Sequence, residues 1–398
     1  MNANLNAEYV SDPLVRHVSD WLIAQALEDS DVETIVLGCS ERLQAAGIPL
    51  ARTFVVLPTL HPLHRAVGIT WQWSEGTKVE GYPHVPGGVS EQYRQSPHFF
   101  MRERDLDLMR VRLDAKRQQF RFPVLEDLRA AGMTDYLAFV VDIAEPNVGP
   151  AQGLLGSFAC DRPGGFTPQE VSALMHLRGR LAVAIKSAFK SELMENIAET
   201  YLGPKTGANV LSGQIQRGDG EAVEAVIWYS DLRDSTALAD TLSSQEYIDT
   251  LNAYYDVTGG AVLEAGGEIL SFVGDGLLAV FQPAADTETA RREAADAAVT
   301  AAKNARRRLA ALNAERAHRD QAALHYGTAL HCGNVHYGNV GVPNRLTFSV
   351  FGAAVNEAQR IEQLTKKLAA PVLLSDRFVE IGGSHACPLG AHKLAGVA

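Results

Sequence analysis

The stretch EILSFVGDGLLAVF, residues 268–281, decides how the second half of this chain folds. Two apolar runs of strand character flank Gly274-Asp275-Gly276, which reads as a β-hairpin turning at the glycines. A turn uses glycine for its conformational freedom but has no need of an acid between two of them. Asp275 therefore raises the question of what it meets.

The neighbouring segments supply an answer. AVEAVIWYSDL, residues 222–232, is a buried strand that ends on Asp231. A capped helical stretch follows, closed by Gly266-Gly267. A polar helix is expected from about Asp286 to His318, then strands in ALHYGTALHCGNVHYGNVGV and RLTFSVFG, then a helix in AAVNEAQRIEQLTKKL. The order β-α-β-β-α-β with extra strands is ferredoxin-like. If the hairpin lies beside the first strand, Asp231 and Asp275 come together at one sheet edge. Two hard carboxylates at one point call for Mg²⁺ or Mn²⁺; the plainer alternative is that Asp231 caps a helix and Asp275 serves the turn. The helix start LRDSTA would turn the backbone N–H groups of Arg233, Asp234, Ser235 and Thr236 toward that edge, where a triphosphate could dock. Gly274 and Gly276 would let a bulky anion approach the backbone. Asn356 and Arg360 stand four apart on one helix face and suit a ribose and a phosphoryl group, or else a solvated face.

Composition is that of a globular chain of two or three domains: 398 residues, 46% hydrophobic and 21% charged, with a net charge of −11. That charge argues against duplex DNA or an anionic membrane as partner. No run approaches a membrane span, no signal peptide is visible, and the four scattered cysteines show neither a disulfide framework nor a zinc pattern. A cytoplasmic location is expected.

The first half reads as an α+β module of about 170 residues. Residues 11–30 are helical; RTFVVLPTL, RAVGITWQW, YLAFVVDIA and GLLGSFACD are strands; EGYPHVPGG is a loop; EDLRAAGM is helical. A long amphipathic helix opens after DRPGGFTPQ and continues to Gly203-Pro204. Its apolar residues Leu181, Ala184, Ala188, Leu193 and Ile197 suit either a core helix or a dimerising signalling helix. The expected division is a regulatory domain over 1–185, a helical connector over 186–220 and a catalytic domain over 221–398. His61, His64, His84 and His98 lie in the first domain, where a haem or metal ligand competes with ordinary polar surface. Cys39 and Cys160 read as small core residues.

Four segments in order, YSDLRDST, FVGDGLLAVF, ALHCGNVHYGNVG and SVFGAAVNEAQRIE, resemble the class III nucleotidyl cyclase catalytic domain. The resemblance implies that two such domains pair head-to-tail. Asp231 and Asp275 of one chain, with the Leu232 carbonyl, would hold two Mg²⁺ or Mn²⁺ ions; Asn356 and Arg360 would come from the partner of a homodimer. A nucleoside triphosphate, ATP first, would yield its 3′,5′-cyclic monophosphate and pyrophosphate. The chain departs from the family pattern at Ser271 and Ala353, where adenine-reading Lys and Asp usually stand, and at Ala395, where a phosphate-binding Lys usually stands; Lys393 is its expected substitute. These departures keep GTP, a pyrimidine triphosphate, or a degenerate nucleotide-binding homologue as alternatives. A diguanylate cyclase is disfavoured because the Gly-Gly-[Asp/Glu]-Glu-Phe turn is absent, and the P-loop spacing is missing from GPKTGANV. With weaker motifs, FPVLEDLRAAGMTDYLAF and DRPGGFTPQEVSAL, the first half resembles a GAF-type sensor domain, which implies a small-molecule ligand of unstated identity.

Overall fold

In a computed structural model, which describes residues 13–86, 88–114, 121–143, 153–382 and 386–394, the chain divides into two compact units, Met1–Ile197 and Ala198–Ala398. The first is built from α1 (Pro13–Glu28), α2 (Val32–Ala45), β1 (Arg52–Pro58), β2 (His64–Gln72), β3 (Gly76–Pro83), α3 (Glu91–Arg94), α4 (Pro97–Glu103), β4 (Leu108–Arg112), α5 (Pro123–Ala130), β5 (Asp135–Val141), β6 (Leu154–Cys160) and most of α6 (Pro168–Leu202), whose last turn belongs to the second unit. Its six strands form one antiparallel sheet in the order β3-β2-β1-β6-β5-β4.

The two faces of this sheet have different cover. Along β1 burial alternates strictly: Val55 and Leu57 join a core with Val18, Leu22, Ile35, Leu43, Leu177 and Leu181 from α1, α2 and α6. Tyr136, Ala138 and Leu155 face the other way, into a smaller cluster with Met101, Leu125 and Leu128 from α4 and α5. Strand alternation thus sends one set of side chains to each layer. Helix α2, not foreseen from the sequence, starts on Asp31, whose carboxylate accepts the Thr34 N–H at 2.7 Å. The segment EGYPHVPGG was expected to be loop, yet its first part belongs to β3. Gly81 and Pro83 are tolerated because β3 is the sheet's edge strand.

Within α6, Leu181, Ala184 and Ala188 are buried in the first unit's core, whereas Ile197 is 37% exposed. The helix ends at Gly203, whose φ of +88° few other residues adopt, followed by Pro204 at the start of α7 (Pro204–Leu211).

His98 on α4 is buried and its Nε2–H donates to the Gly156 carbonyl at 2.9 Å. Burial pushes its pKa from 6.5 down to about 4. The unfolded chain takes up this proton as pH falls through 6.5, the folded chain only near 4, so stability falls with pH across that window. Urea melts should show about 2 kcal/mol of stability lost between roughly pH 7.5 and 5 from this group. In His98→Gln that component should disappear, and an unaltered pH slope in the variant would refute the assignment.

The second unit continues with β7 (Gly220–Leu232), α8 (Ser235–Thr241), α9 (Ser244–Glu264), β8 (Glu268–Val273), β9 (Gly276–Phe281), α10 (Glu288–His318), β10 (Tyr326–Val342), β11 (Arg345–Phe351), α11 (Ala353–Lys367), β12 (Val372–Leu374) and α12 (Asp376–Gly382). The sheet order β11-β10-β7-β9-β8, with β12 parallel to β10, contains the ferredoxin-like arrangement expected from the element order. Helix α9 opens with a full capping box between Ser243 and Glu246. Ala294, Ala295, Ala298, Ala301, Ala302 and Ala305 of α10 pack with Tyr254, Val257 and Ala261 of α9 against one sheet face, around Trp228 and Leu277. Such a stripe of small residues lets two helices and a sheet approach closely. The opposite face carries Ile227, Tyr229, Leu278 and Val280, covered by Ala354 and Ala358 of α11.

Candidate functional site

The hairpin of residues 268–281 lies beside β7, and this places the two acids. Asp231 pairs in register with Gly276 on β9 and with Gly327 on β10. Val273 pairs with Gly276 across the turn residues Gly274 and Asp275. The Leu232 N–H donates to the Asp275 carbonyl at 3.2 Å, so residue 275 sits directly against the end of β7. Each flanking glycine has its own reason. Gly274 has φ +65°, the positive angle that a two-residue hairpin turn requires at its first position. A Cβ on Gly276 would come within 3.2 Å of both Asp231 Oδ1 and the Tyr229 hydroxyl. The sequence attributed both glycines to an approaching anion; the fold accounts for Gly274 by the turn and for Gly276 by the room that Asp231 needs. The Tyr255 hydroxyl also donates to the Gly274 carbonyl at 2.6 Å, tying the tip to α9.

The electrostatics of the edge are negative. Asp231, half-buried, has its pKa raised first by burial and then by the charge of Asp275, with Arg233 pulling the other way. Burial, followed by the Asp275 charge, pushes the Tyr255 phenol up to about 12. Arg233 was expected to face the nucleotide. Its guanidinium instead reaches into the fold, pairing with buried Glu362 at 2.8 Å and with the Thr365 hydroxyl. Among the described residues no group of three or more His, Cys, Asp and Glu forms an all-protein metal cage. Two mutually repelling carboxylates backed by backbone carbonyls nevertheless form an oxygen donor set that fits Mg²⁺ or Mn²⁺, ions that commonly take a few protein oxygens and complete their shell with water and phosphate.

Helix α11 presents Ala354, Ala358, Ile361, Glu362 and Thr365 to the sheet, all buried. At 100° per residue Asn356 and Arg360 fall on the opposite face. Asn356 is exposed and Arg360 half-buried. The pair thus shares one face, as its spacing predicts, and that face points away from the sheet edge holding this chain's own Asp231. Gln359, between the two faces, donates to the Tyr229 hydroxyl at 3.3 Å.

The remaining expected site residues are scattered around this edge. Ser271 is half-buried on β8 opposite Leu278, next to a register shift. Ala353 is the exposed first residue of α11. Asp234 has φ +56° and makes no capping bond at the start of α8; Lys366 lies 3.2 Å from its carboxylate, with both side chains exposed. Ser235 is half-buried and Thr236 exposed in the first turn of that short helix. Lys393, the expected substitute for a phosphate-binding Lys, is exposed in residues 386–394, which have no regular structure; Leu394 anchors the segment against Ala329, Ile361 and Leu373. Ala395 lies outside the described residues. Tyr255 and Glu362, which fix the turn and Arg233, had no signal in the sequence, since their roles arise only across tertiary contacts.

In the first unit His61, His64 and His84 lie near one another without forming a metal-holding group among the described residues, and His98 is engaged elsewhere. His61 and His64 stack with centroids 4.9 Å apart, His84 bonds to the His61 carbonyl, and His98 is bonded to Gly156. Cys39 and Cys160 are buried and free, and burial raises the pKa of each, as expected of core thiols.

Residues 220–382 match the family model of the adenylate and guanylate cyclase catalytic domain. The chain is 31% identical over 219 residues to an adenylate cyclase of Anabaena cylindrica, covering 53% of this chain and 42% of the relative. It is 31% identical over 163 residues to adenylate cyclase 1 of Rhizobium meliloti, covering 39% and 23%. The chain therefore spans less than half the length of these curated relatives. Among solved structures, the guanylyl cyclase Cya2 aligns with 26% identity and a TM-score of 0.39, over 45% of this chain and 88% of that one. No helix among the described residues is long and apolar enough to cross a membrane. The hairpin, the strand-end acid and the match together support an adenylate and guanylate cyclase catalytic domain over residues 220–382.

Proposed function

We propose that this chain is a nucleotidyl cyclase that converts a nucleoside triphosphate, ATP first, to its 3′,5′-cyclic monophosphate and pyrophosphate at sites shared by a homodimer. The observation that carries the reading is the split between the acids and the cationic helix face. Asp231 and Asp275 stand together at the end of β7, while Asn356 and Arg360 point away from that edge. A second copy, turned head-to-tail, would bring its Asn356 and Arg360 to the acids and complete the site. Adenylate cyclases among the relatives support the choice of ATP; a guanylyl cyclase among the structural neighbours keeps GTP open.

Asp231 and Asp275, with the Leu232 carbonyl, would hold two Mg²⁺ or Mn²⁺ ions, which supply Lewis acidity toward the 3′-hydroxyl and the leaving pyrophosphate. The chain's own groups do the positioning. The hairpin turn, held by the Leu232 and Tyr255 hydrogen bonds, fixes Asp275 against β7. The open N–H groups of Asp234, Ser235 and Thr236 receive phosphate oxygens. The partner's copy of Asn356 orients the ribose, and that of Arg360 faces the charge that grows on the phosphoryl oxygens. The 3′ oxygen bonds to the α-phosphorus as the bond to the bridging oxygen breaks, and the hydroxyl proton passes to solvent. Ser271, with one hydroxyl, and Ala353, with none, stand where base selection is expected, so the base is read less stringently than by a Lys–Asp pair. The first unit acts as a GAF-like sensor: its antiparallel sheet is helix-covered on one face and lines a cavity on the other. A cytoplasmic site of action follows from the substrate.

The test is direct. Purified protein with Mn²⁺ should cyclise at least one of ATP, GTP, CTP and UTP, read by chromatography of the products. Silence with all four, with nucleotide binding retained, would favour the degenerate homologue that Ser271 and Ala353 also suggest.

A further inference from the structure

The second face of the first unit's sheet, together with α3, α4 and α5, encloses a cavity of about 390 Å³. That is the lower part of the range for small-molecule sites and has room for a one- or two-ring molecule. The wall is aromatic and apolar, with Phe54, Tyr82, Tyr93, Tyr136 and Leu155, and Arg52 stands at the start of β1 on the same strand face as Phe54 and Val56.

Of the arginines that line the cavity, Arg52 and Arg65 meet no carboxylate among the described residues, whereas several others of this unit do. Arg110, Arg162 and Arg178 each meet a carboxylate at 2.6 Å, and Arg102 pairs with Asp142. Arg52 meets none among the described residues. Its guanidinium has one long hydrogen bond, 3.5 Å to the Thr70 hydroxyl, and lies 5.2 Å from the Phe54 ring centroid. Burial lowers its pKa, the mark of a cation removed from water. Two acids also line the cavity, but Glu80 is held by Lys78 at 2.6 Å and Asp127 is exposed. His98, neutral at pH 7, gives its Nε2–H to Gly156. A guanidinium with most of its five donors unused, enclosed by aromatic rings, is the complement of a planar anionic head on a flat apolar body.

We infer that this cavity binds a small aromatic or heterocyclic anion, its carboxylate or phosphate held by Arg52 and its ring lying among Phe54, Tyr82 and Tyr136. Metal ions and cationic ligands are disfavoured by Arg52 itself, and a neutral ligand would leave the guanidinium without a partner. The inference rests on the sensory reading of the first unit alone, not on cyclase activity.

Calorimetric titration of the full chain with benzoate, phenyl phosphate and benzyl alcohol, in the absence of nucleotide, tests it. At least one of the two anions should bind about tenfold or more tighter than the alcohol, and Arg52→Gln should remove that advantage. Arg52→Lys should keep part of it, since the charge remains without the planar fork. Preference for benzoate marks a carboxylate ligand and preference for phenyl phosphate a phosphomonoester; either outcome supports the inference. Equal binding of all three, no binding of either anion, or wild-type anion affinity in folded Arg52→Gln would overturn it. Because no nucleotide is present, a failure here leaves the turnover assay untouched, and a silent turnover assay leaves this result standing.

Discussion

Asp275→Ala should lower nucleotide turnover by about a thousandfold or more while leaving the fold intact. The size follows from the several kcal/mol that metal-held charge contributes to phosphoryl transfer, at about 1.4 kcal/mol per decade of rate. The reason for an intact fold is local. Asp275 is half-buried in a hairpin turn whose conformation is set by Gly274, and its charge helps to raise the pKa of Asp231. Removing it relieves a repulsion, so the melting temperature should stay level or rise. Asp275→Asn, which keeps the shape of the side chain, should be equally inactive. Turnover within tenfold of wild type in either variant would show that the strand-end acids do not carry the reaction.

The second large effect is a recovery. Asp275→Ala and Asn356→Ala should each be silent alone, yet their co-expression should restore about a quarter of wild-type activity. Random pairing makes half the dimers mixed, and each mixed dimer holds one fully intact site of two. The expectation follows from α11, whose sheet-facing residues Ala354, Ala358 and Thr365 force Asn356 and Arg360 to the other side. A site completed within one chain would give no recovery, and absence of activity from purified mixed dimers would end the shared-site reading.

How much of this was legible beforehand varies from residue to residue. The hairpin, the strand ending on Asp231 and the helix bearing Asn356 and Arg360 were readable because each rests on local rules: alternation, turn glycine and four-residue spacing. Strand β3 was not, because an edge strand with most of its side chains exposed loses the apolar alternation that marks a buried one. Lys393 was expected from the family resemblance alone, and it lies in a segment without regular structure.

Arg233 and Arg52 show the division most clearly. In the sequence both are arginines at a strand end, and nothing local tells them apart. Folding places one against Glu362 on α11 and the other in a cavity where no carboxylate pairs with it. By itself the sequence determined the element order, the hairpin with its acid and the pairing of Asn356 with Arg360, since these depend on residues within a few positions of one another. Only the tertiary structure decided which charges are neutralised internally, which face Asn356 and Arg360 turn outward and where a cavity remains. Those outcomes depend on burial and on contacts between residues far apart in the chain, which local periodicity does not encode.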